Sequence, residues 1–460
     1  MTAQEDKVIR AAACRDTSDL ALFTDFYELT MLQAYVACGM EADATFSLFV
    51  RRLPPNRNFL VACGIEDALD YLELLHFSGE AIAFLDSLGR FSRPFLDWLA
   101  GFRFTGEVRA VAEGTPMFAG EPILEVTAPL AQGQLLETYL MNAVHLQTLL
   151  ASAGARVVAA ARGRTVVDFA ARRIQGIDTA VKAARAFYIA GVDSTSNVLA
   201  GRKYGIPLSG TMAHSFIQAF ETEYDAFKAF ARVWPQTVLL VDTYDTLGGV
   251  DAVLRVANEL GEDFRVSGVR LDSGDLGSLA KQARQKLDAA GLERVKIFAS
   301  GGLGAEAIAE LLDQGAPIDG FGVGTVMGVS ADAPALDIAY KLMEYSGKGR
   351  SKLSTGKATY PGAKQVFRIE EEGRALGDVM GRPHETLPGR PLLQPVMRHG
   401  RRLLPERAVA DIRAHARNEI AKLPEPTRAL APADPPYPVT MSSELERYIA
   451  EFRAALAKAP

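Results

Sequence analysis

The chain has 460 residues, of which 50 are Lys or Arg and 56 are Asp or Glu, so its formal net charge is −6. A chain of this length is too long for one simple core, and two or more domains are expected. The charge balance argues against a nucleic-acid-binding surface, which needs clustered basic side chains to contact phosphates. The hydrophobic content is ordinary for a soluble protein.

Cysteine usage and the first residues indicate a cytoplasmic protein. The three cysteines, Cys14, Cys38 and Cys63, have neither CxxC nor metal-ligand spacing, so a reducing compartment fits better than a disulfide framework. The first residues are polar and contain no apolar stretch of the signal-peptide type. No apolar run looks long enough to span a membrane. We therefore expect no nucleic-acid partner and no membrane contact.

The N-terminal part of the chain, residues 1–160, is predicted to be a mixed α/β domain. Apolar residues have helical spacing over residues 20–38, alternate as in a strand in DATFSLFV, and return to helical spacing in CGIEDALDYLELLHF. Residues 104–126 alternate apolar with polar and are punctuated by Gly and Pro, which predicts a small antiparallel sheet. A helix is predicted over residues 135–153.

Residues 161–345 change to short apolar runs separated by helical segments, which is typical of a parallel βα array. Helical spacing is clear over residues 219–234 and 248–260. The spacing is uneven, and eight strands cannot be counted. The predicted fold class is therefore α/β, an irregular or incomplete parallel βα barrel with the additional mixed α/β N-terminal domain. The candidate strands are TVVDFA, IAGVDS, PLSGTM, TVLLVD, VSGVRLD, VKIFAS and DGFGVG.

The remaining residues, 346–460, form a basic, glycine-bearing loop and then a proline-rich segment with helical stretches at DIRAHARNEIAKL and SSELERYIAEFRAAL. We expect this tail to pack back on the other domains. Its composition predicts no activity of its own.

Polar residues follow six of the predicted strands at their carboxyl ends, where the working residues of parallel βα arrays lie. The set combines arginines, a histidine, carboxylates and glycine loops, and it suits phosphates and a metal ion. Its members are Arg172, Arg173, His214, Asp242, Asp245, Arg270, Asp272, Ser300, Gly301, Gly302, Gly322 and Gly324.

Each residue type suggests a role at such a site. The segments ASGG and GVGT offer backbone N–H groups before helix starts, where phosphates are favoured. Asp242, Asp245 and Asp272 are hard oxygen ligands suited to Mg²⁺ or to ribose hydroxyls. Arg172 and Arg270 can neutralise a phosphate or a carboxylate with fork geometry.

Each residue also has a purely structural interpretation. A histidine near a strand end is often a hydrogen-bonded structural group, DSGD can be a turn with an Asx cap, and glycines are often needed only for backbone angles. The arginines of RRLPPNRN, namely Arg51, Arg52 and Arg57, are predicted to lie in a solvated loop rather than at a phosphate site. Co-occurrence at successive strand ends favours the functional interpretation for the strand-end set.

The motifs together resemble nicotinate phosphoribosyltransferase, a type II phosphoribosyltransferase of NAD salvage. The resemblance extends from about Ala21 to about Arg368. It implies that nicotinate is joined to 5-phosphoribosyl 1-pyrophosphate, giving nicotinate mononucleotide and pyrophosphate. It also implies Mg²⁺, ATP as a cosubstrate whose hydrolysis is coupled through a phosphohistidine, and a homodimer with shared active sites. The motifs are FTDFYELTM, FVRRLPPNRNF, SGTMAHSF, VDTYDT, VRLDSGDL and GVGT.

The same resemblance assigns individual roles. His214 would be the phosphorylated histidine, and its small neighbours would let a triphosphate reach the imidazole. Tyr27 would cover the pyridine ring from the neighbouring subunit, and Phe169 would take the opposite face. The remaining implied contacts are Arg172 and Arg270 to the base or the phosphoribosyl group, Thr211 to nicotinate, Asp272 to the ribose hydroxyls, and Gly301, Gly324 and Thr325 to the phosphate end. Ser300, Gly302 and Gly322 join this substrate-binding set, and His214, Asp242 and Asp272 form the catalytic set, with Asp242 and Asp272 as the metal ligands.

One position departs from the family. Ala170 stands in DFAARRIQG where the family often has glycine, which affects the placement of Phe169 and Arg172.

Four other functions compete with this interpretation. Nicotinamide phosphoribosyltransferase shares the fold and the histidine chemistry, and Asp193 at the end of GVDST could favour an amide. Quinolinate phosphoribosyltransferase is shorter and lacks the histidine step. A type I phosphoribosyltransferase would have adjacent carboxylates followed by Thr-Thr-Gly, which LLVDTYDTLGG lacks. A non-catalytic protein that binds nicotinate or phosphoribosyl pyrophosphate would not need a phosphorylatable histidine.

Overall fold

The computed structural model of the protein describes residues 17–352 and 359–458. Cys14 and part of the predicted basic loop, residues 353–358, lie outside the described residues. The chain forms two compact units. We call residues 153–332 the central unit, and the residues up to 152 together with those from 333 onward the discontinuous unit. The division of the chain into 1–160, 161–345 and 346–460 stays a prediction.

The described strands are β1 (Asp43–Val50), β2 (Leu60–Val61), β3 (Glu107–Ala110), β4 (Pro116–Met117), β5 (Pro122–Pro129), β6 (Thr165–Asp168), β7 (Ser194–Thr195), β8 (Val238–Leu240), β9 (Gly268–Leu271), β10 (Lys296–Ala299), β11 (Gly320–Val323), β12 (Ile338–Tyr345), β13 (Lys348–Gly349), β14 (Gln365–Glu371), β15 (Arg374–Gly381), β16 (Arg390–Pro391), β17 (Gln394–Arg398), β18 (Arg401–Arg402) and β19 (Val439–Met441).

The described α-helices are α1 (Phe26–Ala37), α2 (Ile65–Leu74), α3 (Gly79–Ser87), α4 (Arg93–Ala100), α5 (Leu130–Leu135), α6 (Glu137–Ala161), α7 (Ile177–Ala190), α8 (Val198–Tyr204), α9 (His214–Gln218), α10 (Glu223–Val233), α11 (Thr246–Leu260), α12 (Leu276–Ala289), α13 (Ala305–Asp313), α14 (Thr325–Gly328), α15 (Val409–Lys422), α16 (Glu425–Arg428) and α17 (Ser443–Ala457). Short 3₁₀ turns cover Thr17–Leu22 and Gly261–Asp263.

The central unit contains a six-stranded sheet in the order β7-β6-β11-β10-β9-β8, and all of its pairs are parallel. The sheet is a half-barrel that does not close, since β7 and β8 follow one another in sequence but form its two edges and do not pair. The predicted fold class, an incomplete parallel βα barrel, is confirmed.

The helices between these strands follow from apolar spacing and capping. In α11 the fully buried residues Val250, Val253 and Val256 recur at helical spacing. Its first turn is capped by Asp245, whose carboxylate accepts a hydrogen bond from the Gly248 N–H at 2.6 Å. The strands are short and end in loops at the same edge of the sheet.

Two of the predicted strands are wrong in part. In IAGVDS the residues Ile189 and Ala190 are the last turn of α7, and only Ser194 enters a strand. PLSGTM contains a single bridge, between Leu208 and Thr195. Pro207 has no N–H to donate, so its carbonyl alone bonds, accepting from Thr195 N–H at 3.0 Å.

The discontinuous unit contains a seven-stranded sheet in the order β13-β12-β1-β5-β3-β17-β18. The predicted strand DATFSLFV is β1, and the antiparallel pairing of β3 with β5 confirms the sheet predicted within residues 104–126. That sheet is larger than predicted, because β12 pairs with β1 and β17 pairs with β3. The tail also contributes Arg402, whose guanidinium bonds Asp70 at 2.8 Å and Glu66 O at 2.7 Å.

The expectation that no segment could span a membrane needs correction. Helix α6 has 25 residues and a window of mean hydropathy 1.2, which by length and composition is enough to cross a membrane. However, 72% of that window is buried inside the protein. A long apolar helix that lies inside the core of a water-soluble protein has the same composition, so this one helix is weak evidence for a membrane span.

Candidate active site

A cavity of about 530 Å³ opens in the central unit at the carboxyl ends of β6, β9, β10 and β11. It collects most of the strand-end residues selected from the sequence. Its walls are formed by Phe169, Ala171, Arg172, Arg173, Ser196, Gly210, Thr211, Met212, Ala213, His214, Arg270, Asp272, Ser300, Gly301, Gly302, Gly322, Gly324 and Thr325.

Phe169 presents an aromatic ring to the cavity because of its neighbours. Asp168, at the end of β6, accepts hydrogen bonds from the Ala170 N–H at 2.8 Å and the Thr195 hydroxyl at 2.7 Å, which holds the turn. Burial raises the pKa of Asp168. The ring lies against Gly322, where a Cβ would be only 2.4 Å from it. A side chain at position 322 would therefore push the Phe169 ring out of place.

Arg270 is the most enclosed cation of the cavity, with a side chain only 14% exposed. Its Nη2 donates to the Met212 carbonyl at 2.8 Å, and its Nη1 lies 3.3 Å from the Ser300 hydroxyl. The guanidinium carbon lies 5.7 Å from the centroid of the Phe169 ring. Burial lowers the pKa of Arg270, while nearby carboxylates oppose the shift. An anion bound here would relieve the cost of burying this charge.

Asp272 faces the cavity and Asp242 supports it from behind. The Asp272 carboxylate accepts from the Ser300 hydroxyl and lies 3.4 Å from Arg270 Nη1. Asp242 is buried and does not line the cavity, and its Oδ2 accepts from the Asp272 N–H at 2.9 Å and from the Ser273 hydroxyl at 2.7 Å. Asp242 therefore fixes the loop that carries Asp272.

The carboxylates near β8 do not form a complete metal site, but one of their oxygens has no hydrogen-bond partner in the described chain. Among the described residues, no group of three or more His, Cys, Asp and Glu side chains could hold a metal ion. Asp242 Oδ1 is nevertheless buried without a hydrogen-bond partner in the described chain. The residues thus fit Mg²⁺ that takes only one or two protein oxygens and completes its shell with water and substrate phosphates.

Two glycine loops form part of the cavity wall. Gly301 has φ +90°, and a Cβ there would lie 1.9 Å from the Asp272 carbonyl oxygen. Gly302 has φ +66° but open space around it. Gly324 precedes the short helix α14, which begins at Thr325. These loops bring backbone close to the cavity, as phosphate sites require.

His214 begins α9 and lines the cavity with a side chain 42% exposed. Its Nδ1 lies 3.1 Å from the Thr243 hydroxyl, and its Nε2 lies 4.0 Å from Asp272 Oδ2. If the ring proton is on Nδ1, this N–H donates a hydrogen bond to the Thr243 hydroxyl. Nε2 then keeps a lone pair, on the side of the ring that is near Asp272.

The structure brings most of the predicted residues together but not all. Tyr27 belongs to the discontinuous unit and is 48% exposed. Asp245 is the cap of α11, as described above. The expectation of a solvated loop holds for Arg52 but not for Arg51, whose side chain is only 16% exposed and pairs with Asp337 at 3.5 Å. It is also wrong for Arg57, which is 3% exposed and donates to the Leu149 carbonyl at 2.9 Å.

Sequence reasoning missed several cavity residues. Ser196, Met212 and Ala213 line the cavity, and Thr243 holds His214. Thr243 lies in the VDTYDT motif and could have been selected from it. No sequence motif points to Glu223. Its Oε1 is nevertheless buried without a hydrogen-bond partner among the described residues, and burial together with the charges of Asp245 and Asp242 raises its pKa.

We expect Gly301→Ala to destabilise the central unit by about 1–3 kcal/mol beyond any effect of Gly302→Ala. Both variants place a side chain at positive φ, but only the Cβ at position 301 collides with the Asp272 backbone. Chemical denaturation of the two variants measures the difference. Equal unfolding free energies would show that the close approach of Gly301 to Asp272 is not a constraint.

Three family models match the chain. Residues 22–145 match the nicotinate phosphoribosyltransferase N-terminal domain, and residues 386–449 match the C-terminal domain of the same family. Residues 150–341 match the quinolinate phosphoribosyl transferase C-terminal domain.

Comparison with individual proteins gives the same family as the N- and C-terminal family models. The chain is 54% identical over 436 residues to the nicotinate phosphoribosyltransferase pncB2 of Mycobacterium tuberculosis, which covers 95% of this chain and 94% of that protein. It is 43% identical over 359 residues to the Bacillus subtilis nicotinate phosphoribosyltransferase, which covers 76% of this chain and 73% of that protein. The crystal structure of human nicotinic acid phosphoribosyltransferase is 29% identical, with a TM-score of 0.82 over 93% of this chain and 99% of that chain. The chain belongs to the nicotinate phosphoribosyltransferase family.

Proposed function

We propose that the protein joins nicotinate to 5-phosphoribosyl 1-pyrophosphate, giving nicotinate mononucleotide and pyrophosphate, in NAD salvage. One observation carries the proposal: a single cavity places an aromatic ring, a partly buried guanidinium, an acid and two glycine loops side by side. These are the groups needed by a pyridine carboxylate and a phosphorylated sugar. The reaction belongs in the cytoplasm, consistent with the expected reducing compartment.

The pyridine ring would stack on Phe169. Its carboxylate would pair with Arg270 or with the exposed Arg172 at the mouth of the cavity. Thr211 supports this orientation, because its hydroxyl is buried and has no hydrogen-bond partner among the described residues. A bound carboxylate or ring substituent would supply one.

The phosphoribosyl group would lie across the carboxylate and the glycine loops. Asp272 would accept from the ribose hydroxyls, and the N–H groups around Gly301, Gly302, Gly324 and Thr325 would take the 5-phosphate. The new bond forms between the pyridine nitrogen and C1 of the ribose as the bond from C1 to the pyrophosphate oxygen breaks. Positive charge on the sugar in the transition state is stabilised by the Asp272 carboxylate. Mg²⁺, when bound, would neutralise the leaving pyrophosphate.

ATP would be used through His214. In the tautomer with the proton on Nδ1, held by Thr243, Nε2 attacks the γ-phosphorus of ATP and the bond to the bridging oxygen of ADP breaks. The phosphohistidine adds negative charge beside the pyrophosphate site, and its hydrolysis would couple ATP to the direction of synthesis. The contact of 3.1 Å between His214 and Thr243 supports this orientation.

We also propose a homodimer in which Tyr27 of a neighbouring copy covers the second face of the pyridine ring. Phe23, Phe26 and Tyr27, which lie close together in sequence at and just before the start of α1, are 46%, 46% and 48% exposed. Exposed aromatic side chains of this kind suit an interface between proteins.

Two alternatives are less well supported. Asp193, which could favour an amide substrate, accepts a hydrogen bond from the Val166 N–H at 2.9 Å and so has a structural use. A protein that only binds its ligands would not need the accessible Nε2 of His214.

The proposal predicts the product of a simple incubation. The full chain is mixed with 5-phosphoribosyl 1-pyrophosphate and Mg²⁺, with nicotinate or nicotinamide, and with or without ATP. We expect nicotinate mononucleotide, formed faster with ATP, and little nicotinamide mononucleotide, because the cavity offers arginines to a carboxylate. Chromatography identifies the nucleotide. Preference for nicotinamide, or no nucleotide at all, would refute the assignment.

We expect His214→Ala to lose ATP hydrolysis and the acceleration by ATP, while slow ATP-independent transfer continues through Asp272. Acid-labile label from γ-labelled ATP, measured beside nucleotide formation, tests this. His76→Ala is the control, because His76 is exposed and belongs to the other unit. Label retained by His214→Ala at the level of the control would contradict the role of His214.

A further inference from the structure

Glu28 is a buried acid whose carboxylate pairs with no cation among the described residues. It lies in the first turn of α1 beside Tyr27 and is 0% exposed. In the described chain, its Oε2 accepts from the Thr24 hydroxyl and its Oε1 lies 2.9 Å from the Thr138 hydroxyl. An ionised carboxylate in such a place is costly, since no opposite charge compensates for its lost hydration.

The proton count at Thr138 shows which form of Glu28 fits. Thr138 Oγ1 accepts from the Asp25 N–H at 3.1 Å, and it also lies 2.8 Å from Asp25 Oδ2 and 2.9 Å from Glu28 Oε1. A hydroxyl has one proton and two lone pairs. If both acids are ionised, they compete for that single proton. If Glu28 is protonated, it donates to the second lone pair and Thr138 donates to Asp25, so every contact becomes a hydrogen bond.

The neighbouring carboxylates also favour the protonated form of Glu28. Burial raises the pKa of Glu28 to about 7, and the carboxylates of Glu137 and Asp25 add to the shift while the two threonine hydroxyls oppose it. Tyr71 of α2 and Tyr340 of β12 are the other titratable groups beside Glu28, and both are fully buried phenols. Lys341 of β12 bonds Glu137 at 2.6 Å.

Tyr27 depends on the same cluster. Burial, together with the nearby carboxylates of Glu137, Glu28 and Asp25, raises the pKa of Tyr27, and Glu137 is the residue before Thr138 in α6. The turn that carries Tyr27 is attached to α6 at Thr138, through the hydrogen bonds of Asp25 and Glu28 on either side of Tyr27.

We propose that Glu28 is held as a neutral carboxylic acid and is a positioning residue for Tyr27, because its hydrogen bonds fix the turn Thr24–Tyr27 to α6. Ionisation of Glu28 breaks the proton chain through Thr138 and loosens this turn. The consequence for catalysis rests on the proposed function, in which Tyr27 covers the pyridine ring of nicotinate.

The direction of the pH effect follows from the two forms of the acid. In an unfolded or loosened segment Glu28 ionises near its ordinary pKa of 4.5, whereas in the closed cluster it ionises at about 7. Below the lower value both states are protonated and the cluster has its full stability. That stability falls as the pH rises between the two values, and above about 7 the closed cluster contains an uncompensated charge.

Two measurements on the full chain, across about pH 6 to 8, test the proposal with wild type and Glu28→Gln. The glutamine amide can donate to Thr138 and accept from Thr24 at every pH. Glu41→Gln is the control, since Glu41 is exposed and lies close by in sequence. The first measurement is hydrogen exchange of the Thr24–Tyr27 segment, corrected for intrinsic exchange. The second is KM and kcat for nicotinate.

We expect wild type and Glu41→Gln to lose protection in this segment between pH 6 and 7 and to change little above about pH 7.5, and KM to rise by up to about fivefold between pH 6 and 7, with kcat little changed. Glu28→Gln should show neither change. Identical pH profiles of exchange in wild type and Glu28→Gln would overturn the neutral acid. A pH-dependent KM that survives in Glu28→Gln would overturn the positioning role. If nicotinate is not a substrate, the proposed function fails, and hydrogen exchange alone still decides whether Glu28 fixes the turn.

Discussion

The partly buried guanidinium of Arg270 is the interaction on which the candidate active site depends. The side chain extends from β9 and contacts the Met212 carbonyl, the Ser300 hydroxyl and the Phe169 ring. Met212 lies between α8 and α9, and the other two residues directly follow β10 and β6. Burying such a charge is unfavourable unless its donors are satisfied. The strand ends must therefore converge around it, and Arg270 Nε still has no hydrogen-bond partner among the described residues. A cavity built this way favours an anionic ligand.

Three aspartates of the site have different roles because they occupy different positions. Asp272 faces the cavity, whereas Asp242 holds the Asp272 backbone and Asp245 caps α11. Hydrogen bonds to an ionised group are worth about 1.5–3 kcal/mol each, so the two bonds of Asp242 are a strong restraint on the neighbouring loop. The glycines act similarly, since Gly322 admits the Phe169 ring and Gly301 admits the Asp272 carbonyl.

Much of the central unit could be predicted from the sequence, because its strands are short apolar runs and the residues after them are chemically distinctive. Parallel strands place their carboxyl ends at one edge, so His214, Arg270, Asp272 and Ser300 could be grouped without coordinates. The sheet of the discontinuous unit could not be predicted in full, since β12 and β17 pair with strands far away in sequence. Local pattern also could not separate Asp245, a helix cap, from Asp272, nor identify the proton chain at Thr138, which joins residues 110 and 113 positions apart.

A crystal structure with nicotinate mononucleotide bound tests the central claim most directly, that one strand-end cavity holds the whole product. The account predicts that the pyridine ring stacks on Phe169, that Asp272 contacts the ribose hydroxyls, and that the phosphate lies at the Gly301–Gly302 and Gly324–Thr325 loops. A nucleotide bound outside this cavity, or bound inside it with the phosphate at Arg270 and the pyridine ring at the glycine loops, would contradict it.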